Sequence, residues 1–67
     1  MIHLSVNGQA QSLEPGASIV RLLEALELSG KRVAVEKNGK IVPRSRYGDT
    51  ALADGDALEI VVAVGGG

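Results

Sequence analysis

Two Asn-Gly dipeptides, Asn7-Gly8 and Asn38-Gly39, each follow a short run with apolar residues at alternate positions. A two-residue type I′ turn needs positive φ at both central positions, which Asn tolerates and Gly adopts at little cost. Each pair therefore predicts a hairpin. In the first, Ile2, Leu4 and Val6 alternate with His3 and Ser5, and residues 9–14 return as a polar strand with Leu13 as its one apolar anchor. That polarity suits a sheet edge. In the second, Val33 and Val35 alternate with Ala34 and Glu36, and Lys40-Ile41-Val42 returns toward Pro43.

Between the hairpins lies one amphipathic segment. Ile19, Leu22, Leu23 and Leu26 recur at three- and four-residue steps, while Arg21, Glu24 and Glu27 fall on the other side. Ser18 is placed to accept a hydrogen bond from the first free amides, and Ser29-Gly30 supplies a stop, so the spacing predicts a helix over residues 18–28. Residues 43–47 have neither period and read as an irregular or single-turn connection. Asp49 is a possible cap for a further short turn through Leu52, and Asp54-Gly55-Asp56 is a tight turn. In the last strand Leu58, Ile60, Val62 and Val64 share one face, and Glu59, Val61 and Ala63 the other. The order hairpin, helix, strand pair, last strand predicts an α+β roll. A mixed four- to five-stranded sheet wraps one main helix, with the first two strands and the last as neighbours near its middle.

Sixty-seven residues make one domain, spanning 1–67, near the size at which a single core holds unaided. The chain has no Cys, Phe or Trp, so it offers neither disulfide, thiolate ligand nor cysteine nucleophile, and stability must come from aliphatic packing. Lys31, Arg32, Lys37, Lys40, Arg44 and Arg46 form a basic stretch, but only Tyr47 accompanies them as an aromatic and the formal charge is −1. A single-strand nucleic-acid reader needs stacking side chains among its cations, so no nucleic-acid partner is expected. Neither a leader peptide nor a membrane-length apolar run is present, which predicts a cytoplasmic domain without a membrane partner. There is no glycine-rich phosphate loop, no Ser/His/Asp arrangement and a single histidine, His3, on the outward face of the first strand. No catalytic residue, metal site or bound cofactor is expected. The chain is not expected to be an enzyme.

The sequence finishes Val64-Gly65-Gly66-Gly67. Glycine has no Cβ to obstruct close approach, so residues 65–67 are expected to form a slim, flexible tail suited to carrying a terminal carboxylate into another protein's active site. Val61 and Ala63, outward on the last strand just before that tail, are candidate partner-docking residues.

Along nearly its whole length the chain resembles the sulfur carriers of thiamine biosynthesis, the ThiS family of ubiquitin-like β-grasp proteins. The stretches that carry the likeness are Ile2 to Gly8, Ser18 to Leu28, Val33-Ala34-Val35-Glu36-Lys37-Asn38-Gly39, Ile41-Val42-Pro43-Arg44-Ser45 and Leu52-Ala53-Asp54-Gly55-Asp56, followed by the valine-rich strand and Gly66-Gly67. The resemblance implies a β-grasp roll whose Gly67 carboxylate, with Gly66 as spacer, is adenylated by an E1-like adenylyltransferase of the ThiF type. Acyl-adenylate and thiocarboxylate would be its covalent states. Sulfur would come from a cysteine-desulfurase relay and pass to a thiazole synthase of the ThiG type. Where family members end on two glycines this chain has three, Gly65 lengthening the reach. Alternatives in the same fold are the carrier serving molybdopterin synthase, usually longer and richer in Phe, and a ubiquitin-like interaction module or protein modifier.

Overall fold

The computed structural model describes residues 1–63; Val64, Gly65, Gly66 and Gly67 lie outside the described residues. Five strands, one α-helix and one 3₁₀ turn follow in the order β1 (Ile2–Val6), β2 (Gln9–Leu13), α1 (Ile19–Ala25), β3 (Val33–Lys37), β4 (Lys40–Val42), the 3₁₀ turn (Arg44–Arg46) and β5 (Ala57–Val62). The sheet runs β2-β1-β5-β3-β4. It is mixed, because β1 and β5 are parallel while every other pairing is antiparallel. The expected roll is the fold found.

Both Asn-Gly pairs make the turns the sequence predicts. Asn7 and Gly8 have φ of 52° and 81°, Asn38 and Gly39 of 53° and 84°. The placement of β2 differs from expectation. It pairs only with β1 and occupies the edge, as its polarity predicted, so β1, β5 and β3 form the middle.

One face of the sheet and the helix stripe share the core. Ile19, Leu22, Val35 and Leu58 are its most deeply buried side chains, with Leu4, Val6, Leu13, Leu52 and Ile60 around them. Ser18 caps the helix as expected, its hydroxyl accepting from the Arg21 N–H at 3.4 Å. Arg21 lies on the exposed side and pairs with Glu14 at 3.0 Å.

The helix is shorter than its periodicity predicts. It ends at Leu26, because Glu27 turns into the left-handed region with φ of 59°. The Leu28 N–H then bonds the Leu23 carbonyl at 2.8 Å and the Glu27 N–H bonds the Glu24 carbonyl at 3.0 Å, the pair of bonds that closes a Schellman cap. Leu28 joins the core's margin instead of continuing the helix. Gly30, expected as the stop, serves a following turn, and Leu26 is only partly buried. A side chain in the left-handed region costs about 1–2 kcal/mol, and glycine gives back part of that through greater unfolded-state freedom. Glu27→Gly is accordingly expected to stabilise the fold by about 1 kcal/mol, read as a higher urea midpoint.

Asp49 caps nothing. The single turn forms earlier, over Arg44–Arg46, and the segment that follows is taken up by the helix entrance. Ala51 bridges Ser18, and the Leu52 N–H donates to the Ala17 carbonyl at 2.8 Å. Among the described residues no helix is long and apolar enough to cross a membrane.

Candidate functional site

Ala63, the last described residue, follows β5 directly, so what fixes β5 fixes the point from which the sequence runs on to the glycines. At its start β5 is held on both sides, Ala57 and Leu58 opposite Ser5 and Val6 of β1, and Leu58 to Val62 opposite Lys37 to Val33 of β3. Strand β1 ends at Val6, but the Asn7 side chain continues its role. Its Nδ2 donates to the Ile60 carbonyl at 3.0 Å and its Oδ1 accepts from the Ile60 N–H at 2.9 Å. One side-chain amide thus stands in for a strand residue. Past Ile60, β3 is the remaining strand partner among the described residues, and the ladder closes with the Ala63 N–H donating to the Arg32 carbonyl at 2.9 Å.

A buried carboxylate ties this arrangement together. Asp56 is 9% exposed. Its Oδ2 accepts from the Ala53 N–H at 2.9 Å and its Oδ1 from the Asn38 amide at 3.0 Å, while the Asn38 Oδ1 accepts from the Ala57 N–H at 2.9 Å. Burial alone would raise the Asp56 pKa. The Ala53 and Asn38 hydrogen bonds and the charge of Lys37 outweigh it and hold the carboxyl below its ordinary 3.8.

The far face of the sheet, away from the helix, is open. Val61 is 65% exposed there and stands opposite Ala34 on β3. Ala63 is exposed beyond it. Next along the ladder Glu36 faces Glu59, a like-charge pair that marks where the apolar stretch stops. Ile41 on β4, opposite Glu36, is 77% exposed. Val61 and Ala63 are therefore outward as the alternation predicts, and the structure adds Ala34 beside Val61, while Ile41 lies farther off, across Glu36. Val62, expected to be core, is 41% exposed, because Leu26 and Leu28 at the helix end border an open depression beside it instead of covering it. Gly67, the expected attachment point, and Gly66, its expected spacer, lie outside the described residues, as do Gly65 and the expected inward Val64.

Two further side chains are placed where sequence reading assigns no role. Tyr47 is 7% exposed and its hydroxyl donates to the Val33 carbonyl at 3.2 Å, bracing the part of β3 that carries the end of β5. Its ring is core, not a stacking surface. The His3 ring nitrogen Nδ1 lies 3.1 Å from the Ser12 hydroxyl on the neighbouring strand. Among the described residues no three His, Asp or Glu side chains come together as metal ligands.

A mixed five-stranded sheet on one short helix, with its central strand running out beside a small open apolar face, defines a β-grasp domain. Residues 4–67 match the ThiS family, and the chain belongs to it. It is 37% identical over 65 residues to the sulfur carrier protein ThiS of Bacillus subtilis, covering 96% of this chain and 98% of that protein. The crystal structure of the thiamine biosynthesis protein ThiS from Geobacter metallireducens superposes with a TM-score of 0.82 at 33% identity, covering 98% of this chain and 100% of that one. A thiazole synthase from Paramagnetospirillum magneticum is 42% identical over 64 residues, yet this chain spans only 20% of its length.

Proposed function

We propose that the chain is a sulfur carrier in formation of the thiazole moiety of thiamine. The observation that carries this reading is a family match that runs through Gly67 and so includes the glycine tail. The carrier is a reagent, consumed and regenerated. A carboxylate is a poor acyl donor because loss of oxide is prohibitive. Attack of a Gly67 carboxylate oxygen on the α-phosphorus of ATP expels pyrophosphate and leaves a mixed anhydride whose leaving group is AMP. A sulfur nucleophile from a cysteine-desulfurase relay then displaces AMP. When that nucleophile is a persulfide, a thiol cleaves the resulting acyl disulfide, leaving the thiocarboxylate on Gly67. Gly66 keeps the approach narrow.

Thiazole synthase is the acceptor in this reading. The thiazole synthase of P. magneticum that carries a similar stretch within its own chain supports that pairing. The activating enzyme is an E1-like adenylyltransferase. The open face around Val61 and Ala63 is the docking surface, so a partner gripping it holds the tail in register. Val61→Lys places a charge on that face while leaving the core untouched. It is expected to leave the melting temperature unchanged and weaken association with the adenylyltransferase about tenfold, and an unaltered dissociation constant in a calorimetric titration would refute the docking role.

Growth tests the function. A bacterial strain lacking its own thiazole sulfur carrier should grow without thiamine when given this chain, and should fail to grow when given the chain without Gly66-Gly67. Equal growth with both would refute the carrier role. Failure of the full chain to restore that growth, together with restored molybdenum-cofactor synthesis in a strain lacking its molybdopterin-synthase carrier, would place the chain in the sister pathway.

A further inference from the structure

The cations of this chain are gathered in one stretch of sequence. Six of the seven lie between Lys31 and Arg46, on or beside β3, β4 and the 3₁₀ turn, while both ion pairs among the described residues use the seventh, Arg21. Arg32 and Arg44, twelve positions apart, line one depression with Val33, Ala34 and Ala63. Arg32 enters β3 opposite the end of β5, its carbonyl accepting the Ala63 N–H. The β3–β4 hairpin and Pro43 bring Arg44 back beside it. Both arginines are exposed, and they flank the last described residue before the tail.

We propose that Arg32 and Arg44 are a docking pair for a carboxylate-lined rim on the enzyme that adenylates the tail, seating the root of the tail at the mouth of that enzyme's ATP site. This inference rests on the carrier reading above. With Gly67 as the reacting residue, as that reading has it, the four residues from Val64 to Gly67 span at most about 14 Å. Whatever rim surrounds the reacting carboxylate must therefore sit close to this depression. Charge gives the second argument. A negative tail end approaching ATP, from a protein whose formal charge is −1, is repelled. Fixed cations at the root of the tail, met by carboxylates on the partner, offset that repulsion and orient the encounter. Guanidinium groups suit the task because each grips a carboxylate through two parallel hydrogen bonds.

A protein rim fits these observations better than a small anion. The two cations are exposed and rise from separate segments, and the floor between them is apolar, formed by Val33, Ala34 and Ala63. The Ala63 amide at that floor already donates to Arg32. A phosphate gains nothing from such a floor, whereas an apolar side chain beside the partner's carboxylates covers it. The depression also continues, through Ala34 and Ala63, into the open face around Val61.

Steady-state adenylation by the activating enzyme from the same genome, followed by pyrophosphate release, tests the pair. The double variant R32A/R44A should raise KM about tenfold and keep kcat within about twofold, with a shallower salt dependence of KM. R32K/R44K should recover part of the loss, R32E/R44E should deepen it, and the melting temperature should hold in all three. Unchanged KM in R32A/R44A, with wild type adenylated normally, overturns the docking pair and leaves the carrier reading standing. So does a fall in kcat alone. Nuclear magnetic resonance shifts at Arg32 and Arg44 on adding AMP or inorganic phosphate to the isolated chain also overturn it, in favour of a small-anion site. Failure of the wild-type tail to be adenylated overturns both.

Discussion

Leu22→Ala is expected to leave little or no folded protein at moderate urea concentration. Leu22 is completely buried at the centre of the helix stripe. Truncating a leucine in such a site removes the transfer free energy of its methyl and methylene groups and leaves a cavity, for a loss of about 2–5 kcal/mol. A chain of 67 residues has a total stability of about 3–10 kcal/mol, so one side chain decides whether the domain folds. The control is Leu26→Ala. Leu26 belongs to the same sequence stripe but sits at the helix end and is only partly buried, so its truncation should cost distinctly less. Equal urea midpoints for the two variants would contradict the core described above.

Asp56→Asn is expected to be the most damaging polar substitution. Both carboxylate oxygens of Asp56 accept hydrogen bonds, one from Ala53 and one from Asn38. Asparagine presents one acceptor and one donor, so either the Ala53 amide or the Asn38 side chain faces another donor inside the fold. Leaving a buried group unsatisfied costs about 1–3 kcal/mol, more where a charge is involved. The Asn38–Ala57 bond depends on the same orientation of Asn38, so the loss spreads to the start of β5. The pH dependence has a definite sign. Because the folded carboxyl lies below its ordinary 3.8, the native state holds its proton less tightly than the unfolded chain. Its contribution is fully present above about pH 4 and is lost as pH falls through the lower, folded value. Wild type should therefore lose stability on acidification below pH 4 faster than Asp56→Asn, and the two curves should converge. Parallel curves down to pH 2 would show that Asp56 does not act through its charge.

Much of this architecture is written in local rules. Asn7-Gly8 and Asn38-Gly39 announce two hairpins because few residues accept positive φ twice in succession, and the strand and helix periods mark which faces are buried. What stayed hidden depends on contacts between distant parts of the chain. The helix ends at Leu26 because Glu27 accepts a left-handed backbone in exchange for two capping hydrogen bonds and the burial of Leu28 at the core's margin. Nothing in the local sequence favours Glu there over Gly30. Residues 49–52 do not form a turn because Ala51 and Leu52 bond backbone beside the helix entrance. The asparagines read as turn residues also hold β5 through their side chains, and Asp56 reads as a turn residue until the fold places Asn38 against it. The outward positions Val61 and Ala63 were legible from alternation alone. Their neighbour Ala34 required the strand order, and the placement of Arg32 and Arg44 around one depression required the β3–β4 hairpin.

The acid group of Gly67 is proposed to receive a sulfur atom. Intact-mass spectrometry after incubation with ATP, the activating enzyme and a sulfur source measures this directly, since replacing one oxygen by sulfur adds about 16 Da. That gain is expected on the full chain, localised to its terminal peptide, and none on a chain lacking Gly66-Gly67. A full chain that keeps its starting mass while the activating enzyme turns over a known carrier in the same reaction would contradict it.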